Sequence, residues 1–341
     1  MKLGLGLGYW GAAPNPRNLD MVREAESLGY DSMWTAEAYG SDALTPLAWY
    51  GSQTSTLRLG TSIIQMSART PAATAMAAIT LDHLSGGRFI LGLGVSGPQV
   101  VEGWYGQTFA KPLARTREYV AIMRQVFARE GPVSFQGEHY VLPLPGHTGL
   151  GKALKPTVHP LRTDIPIFLA AEGPKNVAMA AEIADGWFPF LYSPEHDAHY
   201  REALQEGFGR ATSRHGFADF EIAVPAQVVI NEDVEAAADR IRPFIALYVG
   251  GMGARGQNFH FDVVARMGFE EEANRIQDLY LAGRQEEAVR AVPTSLVEAM
   301  AMIGPAAKIR EQKGRWENSL ATTLIIQGDT STLRTMAEIF L

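Results

Sequence analysis

The chain has 341 residues, of which 46% are hydrophobic, and its formal net charge is −7. That length suits an elaborated α/β barrel, and the acidic balance excludes the basic surface with which proteins bind nucleic acid or anionic membranes. With no cysteine, no long apolar run and no signal-peptide pattern, the chain excludes disulfides and thiolate chemistry, and we expect a cytoplasmic enzyme without a membrane partner.

Short apolar segments alternate with helix-like segments, and together they predict eight strands. The predicted strands are residues 1–8, 31–35, 57–65, 89–94, 166–171, 186–190, 221–230 and 321–327. A capping residue followed by proline marks predicted helix starts at Asn15–Pro16, Thr45–Pro46, Thr70–Pro71 and Ser193–Pro194. Repetition of this signal after short strands predicts βα units around a parallel sheet. We therefore predict one domain over residues 1–341, of the α/β class, folded as a (β/α)8 TIM barrel with insertion segments.

Two segments do not fit a minimal barrel. Residues from about 131 to 163 are rich in glycine and proline and contain short strand-like pieces, and residues from about 250 to 293 are glycine-rich and then helical. Long insertions in a compact domain commonly form lids or binding loops. We predict that both segments lie over the functional site.

Functional groups of parallel barrels lie where strands end and the following loops begin, so those positions provide the candidate site residues. Together they predict a mouth that is aromatic and apolar in its middle and polar at its edge, which suits a flat heteroaromatic ring with a phosphate-bearing tail. The candidates are Glu37 and Tyr39 after strand two, Ser62, Ile63 and Gln65 at strand three, Val95, Ser96 and Gly97 after strand four, and Glu172, Gly173, Pro174 and Lys175 after strand five.

The turn after strand five has a pattern typical of anion sites. Gly173 precedes a helix that Pro174 opens, and Lys175 adds a positive charge there. We expect the backbone N–H groups of residues 175–177 to be free at the positive end of the helix dipole, where a phosphate binds. An ordinary capped helix start is the alternative interpretation.

No metal site is predicted. His196 and His199 have the spacing of one helix face, but they have no third ligand near them in the sequence. Gly4, Gly6 and Gly8 alternate along a strand rather than lying at the turn into a helix, which excludes a dinucleotide-binding fingerprint.

Several motifs resemble those of the bacterial luciferase-like monooxygenase superfamily. The resemblance is carried by Gly60–Ile63, Ser85–Phe89, Glu172–Pro174 and Ala184–Trp187, and it extends along nearly the whole chain. The segment Val95–Trp104 resembles the branch of that superfamily that uses the deazaflavin coenzyme F420.

The resemblance implies a (β/α)8 barrel with a non-proline cis peptide bond between Ser62 and Ile63, at a bulge that presses on one face of the cofactor ring. It implies coenzyme F420 as the cofactor, with flavin mononucleotide (FMN) as the alternative. Phosphate contacts would fall on Gly173, Lys175 and the neighbouring backbone. Contacts with the ring edge would fall on Glu37, Gln65 and the turn Val95–Gly97.

The chain also departs from the pattern of this superfamily. Many relatives carry histidine where this chain has Ala38, and some deazaflavin dehydrogenases carry an acid where it has Gly97. Both departures favour reduction of a substrate, because a reductase needs a single proton donor beside the hydride. Glu37 and Tyr39 are the candidate donors. The alternatives are that Tyr39 lines the substrate pocket and that Glu37 hydrogen-bonds the cofactor.

We therefore predict an F420-dependent oxidoreductase that transfers a hydride between the deazaflavin ring and a small organic substrate. An FMN-dependent luciferase-like monooxygenase is the nearest alternative, and a non-catalytic deazaflavin-binding protein is the second. The helix at residues 71–84 is rich in alanine. Small residues allow close approach of another helix, and the superfamily often dimerises near this position, so we expect a homodimer.

Overall fold

A computed structural model describes residues 1–146, 148–253 and 255–341 of the chain. The strands are β1 Lys2–Gly8, β2 Ser32–Thr35, β3 Arg58–Thr61, β4 Ile64–Gln65, β5 Phe89–Gly94, β6 Phe135–Gln136, β7 Val141–Leu142, β8 Ile167–Ala170, β9 Gly186–Phe188, β10 Glu221–Ile230, β11 Ala301–Gly304 and β12 Thr323–Gln327. The helices are α1 Asn18–Ser27, α2 Leu44–Gly51, α3 Pro71–Ser85, α4 Pro98–Gly103, α5 Pro112–Ala128, α6 Pro174–Ile183, α7 Asp197–Phe208, α8 Val234–Asp239, α9 Arg242–Ala246, α10 Phe259–Val264, α11 Glu270–Leu281, α12 Gln285–Arg290, α13 Thr294–Met300, α14 Ala306–Glu311, α15 Lys313–Glu317 and α16 Thr330–Phe340.

The central sheet is a closed parallel barrel. Its ring runs β1, β2, β3, β5, β8, β9, β10 and β12, and it closes because β12 pairs with β1 and β10 pairs with both β9 and β12. Helices flank this ring, as crossovers between parallel strands require. The eight-stranded ring confirms the predicted (β/α)8 TIM barrel.

Aromatic side chains fill the barrel interior. Trp34 lies 5.3 Å from Phe188 and 6.0 Å from Phe168, measured between ring centroids, although the three residues come from different strands. Glycines on neighbouring strands provide the space for these rings, since a Cβ on Gly60 would lie 2.1 Å from the indole of Trp34. The interior is therefore a packed core, as in other parallel barrels of this size.

An ion-pair network joins the strands at the amino-terminal end of the barrel. Arg58 donates to Asp31 at 2.9 Å and to Glu221 at 2.7 Å, and Lys2 also contacts Glu221 at 3.2 Å. Burial alone would raise the pKa of Glu221, but its hydrogen bonds and charge contact with Arg58 lower it below the ordinary value. This network holds four strands together at the end opposite the candidate site.

The structure corrects several boundaries in the prediction. The predicted third strand, residues 57–65, is interrupted at Ser62 and Ile63, and β11 was not predicted because it is a four-residue run directly after a helix. Thr70 caps α3 as predicted, accepting a hydrogen bond from the N–H of Ala73. The prediction at Asn15 was wrong, because its side chain accepts from the N–H of Arg17 in a turn and α1 begins three residues later.

The two predicted insertions contain secondary structure of their own, and their position over the functional site stays a prediction. Within residues 131–163, β6 and β7 pair as an antiparallel hairpin. Within residues 250–293, α10, α11 and α12 contribute to a second apolar core, which also includes Val249 and Ile303. Residues 147 and 254 of these segments lie outside the described residues.

Two further expectations concern the surroundings of the chain. In the described parts of the chain, no helix combines the length and the apolar character that crossing a membrane requires. The homodimer and the cytoplasmic location stay predictions.

Candidate active site

The predicted site residues come together at the carboxyl end of the barrel. Each set directly follows or interrupts a strand of the ring, so all of them open onto the same end of the fold. Ser62, Ile63 and Gln65 lie around the break between β3 and β4, Glu37 and Tyr39 follow β2, Val95, Ser96 and Gly97 follow β5, and Glu172, Gly173, Pro174 and Lys175 follow β8.

A bulge interrupts the pairing of β3 and β4 with β5. Gly60 pairs with Ile90, but Ile64 pairs with Leu93, so three residues on one side face two on the other. The peptide bond between Ser62 and Ile63 lies in this bulge and is cis. Ile63 packs on top of the aromatic interior and directly against Gly94, where a Cβ would lie 2.7 Å from the Ile63 Cδ1 atom.

The hydroxyl group of Thr61 replaces backbone pairing at the bulge. It donates to the carbonyl oxygen of Gly92 at 2.9 Å and accepts from the N–H of Gly92 at 2.9 Å. Thr61 is completely buried, so no solvent can take over these hydrogen bonds. One side chain thus satisfies the β5 edge where its backbone pairing with residues 62 and 63 is interrupted.

Replacement of Thr61 by valine is expected to lower the free energy of unfolding by about 1–3 kcal/mol, because buried backbone groups of Gly92 lose their partner. Urea unfolding followed by circular dichroism measures this loss. Thr61→Ser keeps the hydroxyl group and is expected to lose less stability than Thr61→Val. Equal losses in the two variants would show that the methyl group, not the hydrogen bonds, stabilises the bulge.

Glu37 connects the loop after β2 with the segment around the end of β4 at the barrel mouth. Its Oε1 accepts from the N–H of Gln65 at 2.9 Å and from the guanidinium of Arg69 at 2.6 Å, and its Oε2 accepts from the N–H of Ala43 at 3.2 Å. Its side chain is 4% exposed. Burial alone would lower the pKa of Arg69, but the contact with Glu37 raises it. The carboxylate therefore fixes the end of β4 beside Ile63, and its role as a proton donor stays a prediction.

Gln65 presents an unused acceptor near the bulge. Its Nε2 donates to the carbonyl oxygen of Glu37 at 3.3 Å, which fixes the orientation of the amide. Its Oε1 is buried and has no hydrogen-bond partner among the described residues. Buried polar atoms are nearly always paired, so an unpaired one needs a reason. A ring N–H of a bound ligand is a partner that would satisfy it.

The turn after β8 has the features of an anion site, with one correction. Gly173 is the N-cap of α6, Pro174 is its first residue, and a Cβ on Gly173 would have no atom within 4 Å. The prediction that the N–H groups of residues 175–177 are all free was wrong. Asn176 and Val177 both donate to the carbonyl oxygen of Gly173, since the first regular bond of a helix begins there. The exposed Lys175 therefore provides the main charge of the site.

The turn after β5 brings its backbone toward the same opening. Ser96 has a φ of 60°, in the left-handed region, and Gly97 is the N-cap of α4. A Cβ on Gly97 would meet one atom within 4 Å, the Gln99 Oε1 at 3.0 Å. Gly97 therefore faces the end of one side chain, whereas Gly173 faces open space.

Tyrosines line the rim of the mouth. Tyr39 is 60% exposed and Tyr9 is 43% exposed. Burial, and then the proximity of Tyr9, Tyr39 and Glu172, raise the pKa of Tyr248 to about 12. These charge contacts place Tyr248 beside the loops that follow β1, β2 and β8. Its phenol stays protonated at neutral pH.

Sequence reasoning missed one side chain of the mouth. His260, on α10 of the second insertion, hydrogen-bonds through Nδ1 to the Oε2 of Glu172 at 2.8 Å. The two residues are 88 positions apart in the chain. No local sequence pattern indicates such a pair. The sequence did predict one of its members, Glu172, as a site residue at a strand end.

The described residues fit a flat ring with an anionic tail. Ile63 offers an apolar surface, Gln65 offers a free acceptor, and the open turn at Gly173 and Lys175 offers a positive charge. Within the ranges that the structure describes, no three histidine or acidic side chains are placed to hold a metal ion. The arrangement suits an organic cofactor.

A packed parallel barrel with these loops at its carboxyl end belongs to the class of (β/α)8 enzymes. A family model described as luciferase-like monooxygenase matches residues 7–323. The chain belongs to the luciferase-like monooxygenase family.

Relatives and similar structures agree with this assignment. A Mycobacterium tuberculosis protein, provisionally named a coenzyme F420-dependent oxidoreductase, is 57% identical over 99% of both chains. The 5,10-methylenetetrahydromethanopterin reductase of Archaeoglobus fulgidus is 31% identical over 67% of this chain and 65% of its own. The F420-dependent tetrahydromethanopterin reductase from Methanopyrus kandleri has a similar structure, with a TM-score of 0.82 at 21% identity over 99% and 98% of the two chains. At that identity, the last likeness supports the fold alone.

Proposed function

We propose that the protein is a coenzyme F420-dependent oxidoreductase that transfers a hydride between the deazaflavin ring and a small organic substrate. The observation that carries this proposal is the buried, unpaired Oε1 of Gln65 next to the bulge at Ile63. An apolar support and a fixed acceptor suit a planar heterocycle that carries a ring N–H.

The names of the relatives favour the deazaflavin over FMN. The relative that matches along nearly the whole chain carries coenzyme F420 in its provisional name. We extend that cofactor to this chain because its own residues provide a site of suitable chemistry.

When bound in its reduced form, the coenzyme supplies a hydride and releases a proton to solvent. The protein orients the reactants and excludes water. Ile63 would support the underside of the ring, Gln65 would accept its N–H, and the turn at Gly173 and Lys175 would hold the phosphate. The aromatic rim formed by Tyr9, Tyr39 and Tyr248 would hold an apolar substrate over the ring.

Titration of the purified protein with F420 and with FMN tests this proposal. We expect saturable quenching of F420 fluorescence, and at least about tenfold weaker binding of FMN. Tighter binding of FMN would favour the monooxygenase alternative. Binding of F420 without hydride transfer to any acceptor would favour the non-catalytic alternative. Absence of binding to both cofactors would contradict the proposal.

Replacement of Lys175 by alanine is expected to raise the Kd for F420 about 10- to 100-fold, because a charge-assisted contact with the phosphate is lost. Fluorescence titration measures the change, and the loss should shrink as salt concentration rises. Lys175→Arg keeps the charge and is expected to stay within about threefold of the wild type.

A deazaflavin fragment without the phosphate-bearing tail provides the matched ligand control. Its Kd should be the same for the wild type and for Lys175→Ala. A loss of affinity for this fragment as large as that for F420 would place Lys175 at the ring instead of at the phosphate.

A further inference from the structure

The contact between His260 and Glu172 connects two parts of the fold that are distant in sequence. Glu172 follows the end of β8, while His260 lies in the first turn of α10. The Nδ1 of the imidazole and the Oε2 of the carboxylate are 2.8 Å apart, a normal charge-assisted hydrogen bond. The histidine therefore brings the second insertion to the carboxyl end of the barrel, where catalytic groups of this fold lie.

The imidazole is held by its surroundings as well as by the carboxylate. The ring centroid of Phe190 lies 5.1 Å from that of His260, and the ring of Tyr248 lies 5.0 Å away, edge to face. Asn258 caps the helix by accepting from the backbone N–H of His260 at 3.0 Å. His260 is 8% exposed, so these contacts fix its ring orientation.

The second ring nitrogen is available for chemistry. Nε2 makes no hydrogen bond with any residue that the structure describes. A histidine with one nitrogen oriented by a carboxylate and the other free has the geometry of a general acid or base. The ring can donate from Nε2 when charged and accept there when neutral.

We infer that His260 is a catalytic residue that exchanges a proton with the substrate through Nε2, and that Glu172 positions its ring. This inference rests on the proposed function, because it assigns the proton that accompanies the hydride. It gives Glu172 a role different from the predicted contact with the cofactor.

In the direction of reduction, the substrate double bond opens as one of its atoms gains the hydride. The electron pair of that bond takes the proton from Nε2 of His260, which then recovers a proton from solvent. The substrate gains two electrons and two protons, and the coenzyme loses a hydride and releases a proton to solvent. Reversal of these transfers oxidises an alcohol or amine, with neutral His260 as the base.

Other groups near the mouth suit this role less well. Both carboxylate oxygens of Glu37 already accept hydrogen bonds, one of them from Arg69. The pKa of Tyr248 is raised to about 12 by its burial and neighbouring groups, so its phenol gives up a proton reluctantly. Of these groups, His260 is the one whose ring nitrogen can either donate or accept a proton at Nε2.

Titratable groups on several elements surround His260. Glu172 lies on its Nδ1 side and Tyr248 on its face, and Asp262 belongs to the same helix. Glu172 also acts on Tyr200, whose pKa is raised to about 12 chiefly by burial, while Arg266 opposes that rise. The pH profile must therefore be compared between variants instead of being assigned from one curve.

Nitrogen-15 NMR of the full-length protein, labelled at histidine, tests the geometry without a substrate. The neutral ring of His260 is expected to carry its proton on Nδ1, because that nitrogen donates to Glu172. His260→Asn identifies the resonance. A neutral ring that carries its proton on Nε2 would overturn the inference.

Single-turnover kinetics test the chemistry, with chemically reduced F420 and cyclohex-2-en-1-one as the probe acceptor. His260→Asn keeps a donor toward Glu172, and His260→Gln keeps an amide near the position of Nε2, but neither side chain titrates. Both variants are expected to transfer the hydride about 100- to 10,000-fold more slowly, and to lose one limb of the pH profile. Their Kd values for F420 should stay within about twofold of the wild type.

Glu172→Gln keeps the hydrogen bond and removes the charge, so it is expected to shift that limb of the profile instead of abolishing it. An unchanged rate and pH profile in His260→Asn would overturn the inference. If the wild type binds no F420 or reduces no probe, the proposed function fails at that step, and the NMR measurement still decides the geometry of His260.

Discussion

Replacement of Gly92 by alanine is expected to lower the free energy of unfolding by about 3 kcal/mol or more, a loss large enough to reduce the yield of folded protein. A Cβ at this position would lie 1.7 Å from the carbonyl oxygen of Thr61 and 2.7 Å from a ring carbon of Phe188. The first neighbour is backbone within the bulge, and the second belongs to the packed interior. Neither group can move without disturbing the apolar surface at Ile63, which under the proposed function supports the cofactor ring.

Urea unfolding measures this loss. If the variant does not fold, the yield of soluble protein is measured instead. Gly131→Ala is the matched control, since a Cβ on Gly131 would have no atom within 4 Å and its φ lies outside the left-handed region. That variant is expected to change stability by no more than about 1 kcal/mol. Wild-type stability in Gly92→Ala would show that the bulge relaxes freely.

Replacement of Arg69 by methionine is expected to lower the free energy of unfolding by about 3–5 kcal/mol, because the buried carboxylate of Glu37 would lose its countercharge. The contact is 2.6 Å long, and the side chains of Arg69 and Glu37 are 23% and 4% exposed. The same change should loosen the end of β4, so we also expect weaker binding of F420. Thermal and urea unfolding measure the first effect, and fluorescence titration measures the second.

A double-mutant cycle isolates the ion pair from the other contacts of Glu37. Glu37→Gln alone should be destabilising, because its amide cannot accept from the N–H groups of both Gln65 and Ala43. The double variant Arg69→Met/Glu37→Gln should lose less than the sum of the single losses, since no uncompensated charge remains. Strictly additive losses would mean that the two side chains do not interact energetically.

The hydrophobic periodicity of the sequence and its helix-start signals were sufficient to predict the barrel. The ring strands are short, apolar and separated by helical segments, which is the strongest local signal that a parallel sheet provides. The interruption at residues 62 and 63 could not be predicted from periodicity, because serine and isoleucine are both compatible with a continuous strand. Only the resemblance to a family predicted a cis peptide bond between Ser62 and Ile63.

The position of the candidate site was predicted from the rule that such barrels use their carboxyl ends. That rule selected Glu37, Gln65 and Lys175, but it gave no information about their partners. The ion pair of Glu37 with Arg69 depends on the path of a loop, and the unpaired oxygen of Gln65 depends on burial. Neither property can be read from residue order.

His260 illustrates the same limit more strongly. It lies in an insertion whose helices were predicted only in outline, and its partner Glu172 comes from another element. A pair of this kind exists only after the chain has folded. A sequence pattern can therefore suggest one member but not the contact itself.

The packed interior of the barrel affects how small molecules can reach the candidate site. Trp34, Phe168 and Phe188 occupy the axis, and the network around Arg58 joins strands at the far end. The interior is therefore filled along its axis, and we expect ligands to reach Ile63 from the carboxyl end of the barrel. Under the proposed function, a substrate stacked above the deazaflavin ring would have to leave before the coenzyme could be exchanged, which would impose an order of release.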